Sequence, residues 1–217
     1  MTLTTAEYQA LDHAHFLHPF TDHKRMHETG VRIIERAEGI YLWDSDGHRL
    51  LDGMAGLWCV NVGYGRKDLA EVARKQIEDL PYYNSFFQTA HPPVIDLSAL
   101  LSEVTQDHLT HVFLTNSGSE SNDTVVRMAR YFWQCMGHPE KQVIISRRNA
   151  YHGSTMAGAS LGGMPAMHEQ GGLPIPDIVH IGQPFWYREG GDLTPAEFGK
   201  KVAGQLEQKI EELGEHR

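Results

Sequence analysis

Apolar residues recur along this chain at two spacings, and these spacings divide it into helices and strands. Leu69, Val72, Ala73, Gln76, Ile77 and Leu80 trace one face of a helix over 68–80, with Pro81 just past its end. Pro92-Pro93 opens a second helix, with Val94, Leu97, Leu100, Leu101 and Val104 at its apolar positions. A third is predicted from about Ser119 to Met136. Val125, Met128, Ala129, Phe132, Trp133 and Met136 form its stripe, expected to be buried, and Gly137 is placed to end it. The last helix has the clearest limits. Thr194 caps it, Pro195 opens it and Glu197 completes a Thr-x-x-Glu box. Phe198, Val202, Leu206, Ile210 and Leu213 give the stripe, and Gly214 stops it.

The strand-like runs are shorter. His111-Val112-Phe113-Leu114 leads into Thr115-Asn116, and Gln142-Val143-Ile144-Ile145-Ser146 follows the third helix. Strand 111–116, that helix and strand 142–146 predict a βαβ unit with parallel strands. Ile178–Ile181 reads as a further short strand inside a loop-rich stretch, 164–192. Ile40–Trp43 and His48–Asp52, joined by Asp44-Ser45-Asp46-Gly47, predict a β-hairpin. That turn lacks the further oxygen ligands of a calcium loop. Residues 1–30 hold His13, His15, His18, His23 and His27 at irregular spacing, which predicts a partly extended polar arm rather than a metal cluster.

Composition narrows the class. The 217 residues suffice for one large domain. The net charge of -9, with no stripe of Lys and Arg, argues against a nucleic-acid face. No apolar run is long enough to span a bilayer, and Met1–Leu11 is too polar for a signal sequence. Two cysteines, Cys59 and Cys135, make no disulfide framework and fit a reducing compartment, so a cytoplasmic protein is expected.

Candidate chemistry concentrates where the strand expected at 111–116 meets the third helix. Ser117-Gly118-Ser119-Glu120 places a small, Gly-containing turn at a helix start, with Ser117 and Glu120 at capping-box spacing. The first N–H groups of a helix have no internal partner and the dipole is positive there, so Gly118, Ser119 and the Ser119 hydroxyl can face an anion. Tyr151 and His152 follow the second strand and fall on the same sheet edge, where ligands of open α/β sheets bind. Tyr151 reads equally as a ring-stacking group and as a buried, hydrogen-bonded tyrosine. Gly53–Gly65 is a glycine-rich loop whose aromatics, Trp58 among them, are expected as core plugs before ligand walls.

Four motifs, in order, resemble the class III aminotransferases, which depend on pyridoxal phosphate and have the fold-type I architecture. They are Gly56-Leu57-Trp58-Cys59-Val60-Asn61-Val62-Gly63-Tyr64-Gly65, Phe86-Phe87-Gln88-Thr89-Ala90-His91-Pro92-Pro93, Ser117–Thr124 and Tyr151-His152-Gly153-Ser154-Thr155. The first two resemble in particular the omega-aminotransferases that use pyruvate as acceptor and act on polyamines such as putrescine.

The resemblance implies an incomplete α/β fold. Residues 1–60 would form an N-terminal arm, the hairpin and the start of the small-domain segment. Residues 61–217 would form the first part of the large, mostly parallel-sheet domain that binds pyridoxal 5'-phosphate. By the same resemblance Gly118 and Ser119, with Ser117, hold the cofactor phosphate. Tyr151 stacks on its ring, His152 supports that wall, and Trp58 and Phe86 line the amine pocket. Phe86 reaches in from a partner subunit of a homodimer. The family's Schiff-base Lys and pyridinium-pairing Asp have no counterpart here. None of Lys24, Lys67, Lys75, Lys141, Lys200, Lys201 and Lys209 lies in a matching context, so no catalytic residue is assigned and the chain alone is expected to be inactive. Two other classes compete: a phosphate-ligand-binding module, which lacks a Gly-x-x-x-x-Gly-Lys or Gly-x-Gly-x-x-Gly motif, and a partner-binding pseudo-enzyme.

Overall fold

Thr4 and Glu7 close a capping box, each side chain bonding the other's backbone, and from it runs helix α1, Thr5–His15. The computed structural model describes residues 3–217; Met1 and Thr2, at the start of the expected arm, lie outside the described residues. A second helix, α2 (His23–Thr29), starts where the Asp22 carboxylate accepts the Arg25 N–H at 3.1 Å. The arm thus carries two helices the spacing did not predict, joined by a non-helical stretch, 16–22. Its helices are short and lack an apolar stripe, and their caps define them instead. The chain divides into two compact units, Met1–Ile95 and Asp96–Arg217.

In the first unit, β1 (Ile34–Glu38), β2 (Tyr41–Asp44) and β3 (Arg49–Leu51) form an antiparallel sheet in that order. The expected hairpin is β2–β3, with Tyr41 opposite Leu51 and Trp43 opposite Arg49. Asp44 is buried in its turn and accepts the N–H groups of Asp46 at 3.2 Å and His48 at 2.8 Å. The Thr5 hydroxyl, bonded to Asp46 at 2.7 Å, ties α1 to the same turn. Then follow α3 (Ala55–Trp58) and α4 (Lys67–Asp79), and the unit ends within α5 (Pro92–Val104), the last two where the periodicity predicts them. No apolar side chain before Ile95 is fully buried among the described residues.

The second unit holds α6 (Gly118–Cys135), β4 (Ile144–Arg147), α7 (Met156–Leu161), α8 (Pro165–His168), β5 (Ile178–Ile181), α9 (Trp186–Glu189) and α10 (Pro195–Leu213). A parallel pair exists, but it is β4 with β5, in register from Ile144–Ile178 to Arg147–Ile181. Residues 111–116 form no strand among the described residues, and Phe113 and Leu114 are exposed. A strand needs a neighbour to receive its backbone hydrogen bonds, and this run has none beside it.

Val126, Leu161 and Ile178 make the core here, with Ile144, Ala157 and Ile175 against them. Phe198 and Val202 of α10 are buried too. The predicted stripe of α6 is not: Val125, Met128, Phe132, Trp133 and Met136 are exposed, and Val126, at 5 % exposure, is the buried residue. The covered face of α6 follows Ser119, Asn122, Asp123, Val126 and Arg130 at helical spacing, and most of these are polar. Arg130 donates to the carbonyl oxygens of Gln142 and Pro176 at 3.1 and 3.0 Å. Close approach of α7 is allowed by small residues. Gly163, just after it, is an extreme case, since a Cβ there would sit 2.2 Å from the Arg147 carbonyl oxygen.

At the start of α10, Thr194 and Glu197 form a complete capping box. Replacing Thr194 with Ala should lower unfolding free energy by about 1 kcal/mol, measured by urea denaturation.

Candidate phosphate site at the start of α6

The turn before α6 is built by its own polar side chains. The Ser117 Oγ accepts the Glu120 N–H at 3.2 Å, and the Glu120 carboxylate accepts the Asn116 N–H at 2.9 Å. The expected box is therefore displaced at one end: Glu120 reaches one residue past Ser117. Thr115 and Ser121 share a hydroxyl hydrogen bond of 2.6 Å. Gly118 and Ser119 occupy the first two helical positions, so their N–H groups have no acceptor within the helix. Space beside Gly118 is open, with nothing within 4 Å of a Cβ built there.

Against this turn lies the segment after β4, fastened at three points. Ser154 N–H donates to Ser119 Oγ at 3.1 Å. Asn122 Nδ2 donates to the His152 carbonyl at 2.7 Å. Asp123 Oδ1 accepts the Thr155 hydroxyl at 2.6 Å and the Gly158 N–H at 3.1 Å. Gly153 sits at the closest approach with φ +121, where a Cβ would meet Ser119 Oγ at 2.5 Å and Ser119 Cα at 2.8 Å. Only glycine fits both the conformation and the gap. The structure thus brings Ser117, Gly118 and Ser119 together with the Tyr151–Gly153 segment. Tyr151 is 54 % exposed, not the buried tyrosine of the alternative reading, and His152 is half-buried. The sequence reading did not single out Asn122 and Asp123. Their spacing from Ser119, three and four positions, is the signal that finds them.

Trp58 and Phe86 belong to the first unit, 78 % and 73 % exposed, so neither plugs a core. Trp58 ends a run of left-handed backbone, with φ of 47 at Ala55, 60 at Gly56, 68 at Leu57 and 64 at Trp58. Such a turn costs roughly 1–2 kcal/mol per non-glycine residue. Asp52 holds it. Its carboxylate accepts the N–H groups of Met54 at 3.0 Å and Gly56 at 2.9 Å, and the Tyr64 hydroxyl at 2.7 Å. The Tyr64 hydrogen bond, with those backbone donors, holds the Asp52 carboxyl below its ordinary value despite desolvation. The same bond raises the Tyr64 phenol.

Among the described residues, one trio brings three possible metal-ligand atoms within 4.8 Å: Asp44, Asp46 and His48. Asp44 is already engaged by backbone N–H groups there, as a hairpin turn requires. No described helix is long and apolar enough to cross a membrane.

The family described as aminotransferase class III matches residues 23–212. The chain is 60 % identical to a putrescine–pyruvate aminotransferase of Pseudomonas aeruginosa over 97 % of its own length and 46 % of that protein's. It is 40 % identical to a gamma-aminobutyrate transaminase of Oryza sativa over 89 % of this chain and 38 % of the relative. Among solved structures, an omega-transaminase from Thermomicrobium roseum superposes with a TM-score of 0.95 at 43 % identity, covering 100 % of this chain and 48 % of the other. An omega-transaminase of Pseudomonas jessenii in complex with PMP gives 0.93 at 40 % identity, over 96 % and 46 %. The chain spans about half the length of the curated relatives it matches. The α/β fold is thus that of the pyridoxal-phosphate-dependent transaminases, in part.

Two outcomes follow from the site geometry. Asp123→Ala strands two donors and should cost about 1–3 kcal/mol in urea unfolding. For Asp52 the folded pKa is depressed, so its stabilisation is present above the unfolded value and is lost as pH falls through the folded one. Tyr64 is raised, so its share is present below the unfolded phenol value and is lost as pH rises through the folded one. Asp52→Asn should flatten the acid limb of a stability–pH profile measured by circular dichroism.

Proposed function

Because the chain belongs to the class III aminotransferases, we propose that it binds pyridoxal 5'-phosphate with the phosphate at the start of α6 and the ring beside Tyr151. The observation that carries this reading is the pair of helix-start N–H groups at Gly118 and Ser119, which have no acceptor within the helix, with open space beside Gly118. A phosphate monoester dianion fits this donor set and the positive end of the helix dipole. The Ser119 oxygen accepts from Ser154, which leaves the hydroxyl proton to donate to the phosphate. Asn122 and Asp123 act through the backbone, fixing the distance between this cup and Tyr151.

When bound, the cofactor supplies an electron sink for the pair left on the amine-bearing carbon as its proton departs. In our reading Ser117, Gly118 and Ser119 bind the phosphate, Tyr151 sets the plane of the ring, and His152 backs that wall. Trp58 and Phe86 line an apolar slot for the amine's carbon chain, and their exposure supports a role at a surface met by substrate or by a second subunit of a homodimer. The reaction is transfer of an amino group from an amine such as putrescine to pyruvate, which becomes alanine. The likeness to the Pseudomonas aeruginosa enzyme supports this choice of donor and acceptor. Division into a small-domain segment, 1–60, and a cofactor-binding large domain, 61–217, and a cytoplasmic setting, belong to the same reading.

Two of the lysines are engaged elsewhere. Lys141 donates to the Glu215 carbonyl at 2.7 Å, Lys209 pairs with Glu212, and the others lie on α2, α4 and α10. We therefore assign the Schiff-base role to none of these lysines, and the pyridinium-pairing role to none of the aspartates.

The purified chain should bind pyridoxal 5'-phosphate at least tenfold more tightly than pyridoxal, by fluorescence titration, and Ser119→Ala should weaken the former about tenfold. Mixed with putrescine and pyruvate it should form no alanine. Equal affinity for the two vitamers contradicts the cup; alanine formation contradicts leaving the Schiff-base role unassigned.

A further inference from the structure

The two helices of the arm meet through histidines. His13 of α1 and His27 of α2 have ring centroids 3.8 Å apart, with planes inclined at 78°. His23, four residues before His27, has its ring 6.3 Å from it. His23 Nε2 is buried and meets no hydrogen-bond partner among the described residues. No apolar core backs this contact, since neither helix has a buried residue. A cavity of about 400 Å³ is lined from both sides, by Gln9, Asp12 and His13 and by Met26, His27 and Glu28. Gln9 Nε2 donates to the Val31 carbonyl at 2.8 Å, just past α2. Thr5 holds the start of α1 to the hairpin turn.

Imidazole is the side chain whose charge changes between about pH 5 and 8. Uncharged, the two rings meet edge to face, a favourable aromatic arrangement. Charged together at that spacing, they repel. The neighbouring groups do not cancel this repulsion. On α1, Asp12 favours the charged form of His27, but its carboxylate is engaged by His18 at 2.8 Å. His18, in the stretch 16–22, disfavours that form, and so do His13 and His23. Glu28 is the one carboxylate that α2 brings to the cavity wall. Desolvation first, then His13 and His23, hold His27 below the ordinary imidazole value. The docked arrangement therefore has its full stability above the ordinary value and loses it as pH falls through the depressed one.

We propose that His13 and His27 form a pH-operated clasp, which holds α2 against α1 while both rings are neutral and releases it when both are protonated. With seven residues, α2 is too short to persist as a helix without a surface to lie on, so release also frays it. The first turn of α1 stays in place through Thr5 and Asp46. The clasp is independent of the cofactor reading, because none of its residues belongs to the cup or to the proposed amine pocket.

Amide hydrogen exchange of the whole chain, divided by the intrinsic rate at each pH, tests this. The reporters are Met26 and Gly30, whose N–H groups donate to the Asp22 and Met26 carbonyls at 2.9 and 2.8 Å. Between about pH 7.5 and pH 5 both amides should accelerate at least fivefold, and more than those of α4. His13→Gln and His27→Gln each remove one of the two charges, and each should reduce the acceleration below fivefold. Circular dichroism at the higher pH checks that the variants fold. In H13Q the His27 ring, followed by proton spectra, should titrate closer to the ordinary imidazole value, which a purely structural role for His13 would not produce. Three results overturn the proposal: acceleration below fivefold, or no greater than that of α4, in the unsubstituted chain; acceleration that persists in either folded variant; and a His27 titration unmoved in H13Q.

Discussion

The hydrogen bonds joining Ser119, Asn122 and Asp123 with the segment Tyr151–Gly158 are the constraint on which the second unit depends. They join the first turn of α6 to the end of β4 and the start of α7, at distances between 2.6 and 3.1 Å. Individually such bonds contribute about 0.5–1.5 kcal/mol net, and more when a carboxylate accepts. Their larger effect is negative. With Gly153 pressed on Ser119, any loosening leaves buried donors without acceptors. So the turn, the tyrosine and α7 keep one mutual geometry, and the N–H groups of Gly118 and Ser119 stay open because the surrounding side chains are committed elsewhere.

That arrangement explains what the sequence showed and what it concealed. The limits of α4, α5 and α10 were legible because a proline and an apolar stripe agree at each, joined at α10 by a capping box. The helix start at Ser117 was legible from its cap spacing. The inward face of α6 was not. Periodicity selected Val125, Met128, Phe132 and Trp133, whereas the covered face carries Ser119, Asn122, Asp123 and Arg130. An apolar stripe marks a surface that suits burial, and only tertiary contacts decide whether it is covered. The same holds for 111–116, which has strand composition but no neighbouring strand among the described residues.

The first unit shows polar side chains shaping a loop against backbone preference. Left-handed backbone at Ala55, Leu57 and Trp58 is unfavourable for residues with a Cβ, and the Asp52 carboxylate offsets this by collecting two amides and the Tyr64 phenol. Sequence alone favoured Trp58 as a core plug because glycine-rich loops with aromatics usually bury them. The carboxylate three residues upstream of the left-handed run is the feature that reverses this, since it aims a large ring outward on a fixed turn.

The central claim is that the start of α6 is a cup for the phosphate of a planar cofactor, held in register with Tyr151. Amide proton–nitrogen spectra of the chain, titrated with pyridoxal 5'-phosphate and separately with pyridoxal, test it most directly. The account predicts that the Gly118 and Ser119 amides move downfield with the phosphorylated form alone, while Tyr151 ring protons respond to it as well. Unmoved Gly118 and Ser119 amides, or equal shifts with pyridoxal, would contradict it.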